Sequence, residues 1–121
     1  MPPTTLARAL GLARVAVGVG LIAQPGRLTT AWLGRDAKAA GTQVAVRGLG
    51  ARDLVLGAGT AIASGSDRQR WLIAGIVGDV ADLTATLAAG RALPARGRVL
   101  VAALAGAGVA MGATALAGLR G

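Results

Sequence analysis

Four stretches of this chain are apolar for about the length of a bilayer crossing, and three of them are interrupted by charge. They run over about 6–23, 44–63, 71–90 and 99–119. A hydrocarbon core of ~30 Å takes ~20 residues of α-helix at 1.5 Å per residue. Lipid offers the backbone no hydrogen-bond partners, so only helices and closed barrels can cross it. These stretches are rich in Ala, Leu and Gly and lack the period-two alternation of strands, so they read as helices. The expected architecture is all-α: a four-transmembrane-helix bundle with short loops, forming one integral membrane domain over 1–121.

The interruptions are Arg8, near the start, and Arg14 in the first stretch, Arg47, Arg52 and Asp53 in the second, and Asp79 and Asp82 in the third. An ionised side chain at bilayer depth costs several kcal/mol unless it is paired or hydrated, so such residues mark either a functional site or a structural lock. Helices two and three read as an antiparallel hairpin about the 64–70 segment, SGSDRQR, taken as a short turn. Counting residues outward from it puts Asp53 and Asp82 at one height near mid-membrane, with Arg52 beside them. Asp79 and Asp82 are three apart and share a helix face, and Arg52 can bridge to either. Arg14 is about halfway along its own helix, and Arg47 is about a turn from the interface, where it can snorkel outward. The expectation is a candidate intramembrane network of three positive and three negative groups on helices one to three, with none on helix four.

Composition narrows the class. Hydrophobic residues make up 54% of the chain and charged residues 15%, against about a quarter charged in an ordinary soluble domain. With no Cys and no His, disulfides, the usual zinc sites and histidine acid–base catalysis are excluded, and the sequence implies no cofactor. The serines and threonines have no His or Cys partner for a hydrolytic triad. The Ala/Gly/Arg bias suggests a bacterial source. The net charge of +8 does not indicate nucleic acid. The excess lies in the loops, where it suits anionic lipid headgroups, and aromatic residues for base stacking are nearly absent.

The first stretch has the basic start of a signal peptide, but Leu21 and Ala23 make a poor cleavage site and three more apolar stretches follow, so it is expected to be retained. Pro25 and Gly26 end it. The segment 24–43 then reads as a plain polar loop or as a short amphipathic turn lying at the interface, with Trp32 at headgroup level. Trp71 reads as a second interfacial anchor. Four spans put both termini on one side and the 24–43 and 91–98 loops on the other. The loop side holds Arg27, Arg35, Lys38, Arg91, Arg96 and Arg98, against Arg8, Arg68, Arg70 and Arg120 on the termini side. That asymmetry places the longer loops in the cytoplasm. In helix four, Gly108 and Gly112 form a GxxxG pattern that permits close helix packing, including packing in a homodimer or against a membrane partner.

The run Arg47-Gly48-Leu49-Gly50-Ala51-Arg52-Asp53-Leu54-Val55-Leu56-Gly57 resembles the signature of a family of small bacterial membrane proteins with about four helices, known as a domain of unknown function. Gly78-Asp79-Val80-Ala81-Asp82 is similar to its acidic segment, and the resemblance covers roughly 44–90. Members of that family often carry a histidine in the last helix, and this chain has none. The resemblance implies a four-helix fold and no known activity.

The expected function is that of a non-enzymatic membrane bundle, a structural, accessory or interaction subunit. The alternative is a small, dimeric or monomeric, ion- or proton-coupled transporter using Asp79, Asp82 and Arg52. A third reading is a lipid- or phosphate-processing enzyme holding magnesium at Asp79 and Asp82.

Overall fold

The computed structural model describes Met1 through Gly121. It is helical throughout, with α1 (Pro3–Ala23), α2 (Pro25–Leu33), α3 (Ala40–Ile62), α4 (Gly65–Ala89) and α5 (Ala95–Arg120), and 3-10 turns at Gly34–Lys38 and Gly90–Ala92. The four long helices cover the four apolar stretches to within one residue and begin before each of them, because the backbone ladder continues into the polar flanks.

Two expectations are corrected at the connections. The 24–43 segment is neither a plain loop nor a single turn: Pro25 opens a fifth helix. Proline lacks the N–H that a first helical turn leaves unpaired anyway, so it ends α1 and starts α2 at once. Thr29 and Thr30 donate their hydroxyls back to the carbonyls of Pro25 and Gly26. Gly34, with φ 66°, closes α2 in the left-handed region where glycine carries no Cβ penalty. The 64–70 segment is not a turn either, since α4 begins at Gly65 and the α3–α4 hairpin turns on Ala63 and Ser64 alone. Asp67 sits in the first turn of α4, where its charge suits the helix dipole, and it pairs with Arg70 at 3.1 Å.

The long helices pack in the cyclic order α1, α3, α4, α5, so that α1 and α4 face each other across the bundle. The closest approach is between α1 and α3, which run antiparallel. Gly11 meets Gly57 and Gly18 meets Gly50, two pairs at a shared seven-residue spacing. A Cβ at Gly11 would lie 2.6 Å from the Gly57 carbonyl oxygen, and one at Gly18 would lie 2.5 Å from that of Gly50. Backbone touches backbone here, as small residues allow in membrane helices. Gly97 lies against Ala31 and Trp32, which seats the start of α5 on α2. At the end of the bundle that holds the N-terminus of α1, Ala7, Leu72 and Ala115 form a small apolar core with Leu6, Leu10, Leu116 and Leu119 around it.

Polarity is inverted relative to a water-soluble bundle. Leu12, Val77 and Leu104 are 61%, 62% and 65% exposed, while Thr29, Asp53, Thr60, Arg68, Asp79 and Thr86 are buried. Water-soluble proteins rarely leave so much contiguous apolar surface uncovered. Three helical segments, Pro3–Ala23, Gly65–Ala92 and Ala95–Arg120, are long and apolar enough to cross a membrane. The remaining long helix, α3, is 23 residues long, but any stretch of it long enough to cross carries Arg47, Arg52 and Asp53. By length and composition three helices therefore qualify as candidate spans, where four apolar stretches were expected to cross.

Candidate functional site

The interior of the bundle holds five of the six charged residues singled out from the sequence. Arg14 projects from α1 between the other helices and places both terminal nitrogens on Asp79 of α4, Nη1 at 3.1 Å from Oδ1 and Nη2 at 2.5 Å from Oδ2. Its Nη2 also donates to the carbonyl of Gly75 at 3.1 Å. Arg52 of α3 clasps Asp82 of α4 in the same two-pronged way, at 3.1 and 2.6 Å. This planar fork-to-fork geometry is the strongest form of guanidinium–carboxylate pairing.

Asp53 joins the two clasps. Its Oδ1 lies 3.4 Å from Arg52 Nη2 and 3.8 Å from Arg14 Nη1, longer than the contacts either arginine makes to its primary partner. The chain of contacts therefore runs Asp79, Arg14, Asp53, Arg52, Asp82 across three helices. Two arginines face three aspartates, so the set carries one negative charge in excess. The Nε of Arg52 is buried without an acceptor.

Glycines make the room. A Cβ at Gly75 would press on the Arg14 guanidinium, one at Gly78 would meet that of Arg52, and one at Gly108 would fall on the carboxylate of Asp79. The small residues of α4 and α5 thus serve the charges as well as the helix contacts.

Arg47 is not part of the network, which corrects the expected balance of three against three. It is exposed on α3, and its Nε donates to the carbonyl of Ile22 at 3.1 Å. That carbonyl belongs to the last turn of α1, where the helix has no further N–H to offer. Arg68, which the sequence suggested only as a loop charge, does the same for α3. It is buried, and it donates to the carbonyls of Thr60 at 3.1 Å and Ala61 at 3.2 Å. Both arginines set positive charge at the negative end of a neighbouring helix. The signal for Arg68 was its place just after a two-residue hairpin turn, which is visible only once the helix start is known.

The remaining expected positions are engaged within the chain. Trp32 is half-buried, and its indole N–H donates to the hydroxyl of Thr86 on α4 at 3.2 Å, which ties α2 to the bundle. Trp71 is half-buried with its ring against Gly59 of α3. Gly108 and Gly112 are buried against Asp79 and Ile76 of α4, so the face they form is used within the chain and is not free for a second copy. Asp79 and Asp82 are each taken by a different arginine, and no three metal-ligating side chains converge.

One cavity reaches the network. It has a volume of about 400 Å³, lies between α1 and α5 beneath α2, and is walled mainly by aliphatic side chains. Asp53, Asp79, Asp82 and Arg14 line it as well. A second hollow, lined by Leu33–Asp36 and Arg91–Pro94, shows that the two longer connections meet at one end of the bundle.

No family model, no curated protein and no solved structure matches the chain.

Proposed function

We propose that the chain is a multi-pass membrane protein in which all four long helices cross the bilayer and the Arg/Asp network locks them together, serving as a structural or accessory subunit without enzymatic activity. The observation that carries this reading is the paired interior. Arg14–Asp79 and Arg52–Asp82 are closed, two-pronged contacts inside a bundle whose outer surface is aliphatic. Removing one member of a buried ion pair costs ~3–5 kcal/mol, so such a set holds its helices in one arrangement. The charges that disqualify α3 by composition support its insertion by geometry. Asp53 turns inward, Arg52 is engaged by Asp82, and Arg47 lies near the helix start within reach of Ile22, while Val44, Val55 and Ile62 face outward.

The basic residues of the 24–43 and 91–98 segments lie at the end where Arg35 and Arg91 line one hollow. That clustering supports a cytoplasmic placement beside anionic headgroups. The second reading, a small ion- or proton-coupled transporter, is favoured by one observation: three carboxylates line a cavity. Purified protein in proteoliposomes with an internal pH-sensitive dye separates the two. The structural reading predicts dye traces identical to those of empty liposomes. A flux that is lost in Asp79→Asn and Asp82→Asn replaces it with the transporter.

A further inference from the structure

We propose that the cavity between α1 and α5 is a binding site for a lipophilic monocation, with Asp53 as its counter-charge. The inference goes beyond the structural role proposed above and uses the membrane placement only for the route of entry. The cavity's walls are aliphatic, and its rim residues Val17, Leu100 and Leu104 are exposed on the outer faces of α1 and α5. In the bilayer that rim faces acyl chains, so the ligand that reaches it partitions into lipid. Its volume of about 400 Å³ falls within the ~300–1,000 Å³ of small-molecule pockets.

The floor sets the sign of the charge. Arg14 is there, but both of its terminal nitrogens are held by Asp79. Asp82 is held by Arg52. Asp53 is 8% exposed and has only the two long contacts, 3.4 and 3.8 Å, to arginines committed elsewhere. The excess negative charge of the network therefore falls on the one carboxylate that lines the cavity without a clasp of its own. A monocation neutralises it, an anion adds repulsion, and a neutral molecule leaves it uncompensated. Trp32 is among the residues that line the cavity, and an aromatic side chain there suits an organic cation.

The test is equilibrium binding of tetraphenylphosphonium to the full chain in phosphatidylcholine nanodiscs, with empty nanodiscs subtracted. Tetraphenylborate, of nearly the same shape and opposite charge, is the comparison. The expected result is saturable binding of the cation at least about tenfold tighter than of the anion. Asp53→Asn should erase that preference, and Ala107→Trp, which fills the cavity from the exposed face of α5, should weaken binding without touching the charged groups. Should Asp53→Asn fail to fold, the two-ion comparison and Ala107→Trp decide. Equal binding of the two ions, no saturable binding, or full cation binding in Asp53→Asn overturns the proposal. Flux and topology measurements read the proposed structural role separately, so the two can fail independently.

Discussion

Arg14 reaches from α1 to Asp79 on α4, a helix that is not its packing neighbour, and holds both carboxylate oxygens, at 3.1 and 2.5 Å. A contact across the bundle couples helices that adjacent packing does not. Arg14→Leu strands a carboxylate among apolar side chains and should lower stability by ~3–5 kcal/mol. The double variant Arg14→Leu with Asp79→Leu removes both charges, and it should be more stable than Arg14→Leu alone. Unfolding in mixed micelles, arranged as a double-mutant cycle, reads the coupling. Additive effects would mean the two groups do not support each other.

The α1–α3 contact should tolerate little added volume. Gly18→Ala and Gly57→Ala each place a methyl group against the partner's backbone and should cost ~1–3 kcal/mol. Gly48→Ala and Gly106→Ala meet nothing within 4 Å and should be neutral or slightly stabilising. Thermal denaturation of the four variants in one detergent checks the ranking.

Arg68 closes the end of α3 from the first turn of α4. Arg68→Ala leaves two carbonyls without that donor and should destabilise by ~1–2 kcal/mol. Amide exchange should quicken in the last turn of α3 and little elsewhere. Arg68→Lys should rescue only part of the loss, because one ammonium does not reproduce a fork spanning two carbonyls.

Counting along the hairpin was enough to anticipate that Arg52 bridges to Asp79 or Asp82 from the same height, because α3 and α4 are joined by a turn and their registers are linked. Arg14–Asp79 was not legible in this way, since nothing local ties α1 to α4. A clue did exist in the equal seven-residue spacings Gly11 to Gly18 and Gly50 to Gly57, which set the register of α1 on α3. Arg47 and Arg52 lie in one apolar stretch, which alone does not put them on one face. Five residues on a 3.6-residue helix separate them by roughly 140°, which puts them on different faces. The Gly108–Gly112 pattern suits a second copy as well as a helix of the same chain, because a glycine pattern shows only that something packs closely. Here the packing partner is α4, and Gly108 makes room for Asp79. Helix α2 is hidden in the sequence because Pro25 suits a helix terminator and a first helical turn equally well.

The proposed four-span topology requires α3 to cross the bilayer despite Arg47, Arg52 and Asp53. The chain has no cysteine, so single cysteines can be introduced without a background. Ala39→Cys precedes α3 and Ser64→Cys follows it. Labelling of intact bacterial cells with a membrane-impermeant maleimide should modify Ser64→Cys and spare Ala39→Cys until the cells are opened. Modification of both positions from the same side would show that α3 does not cross, and would contradict the four-span account.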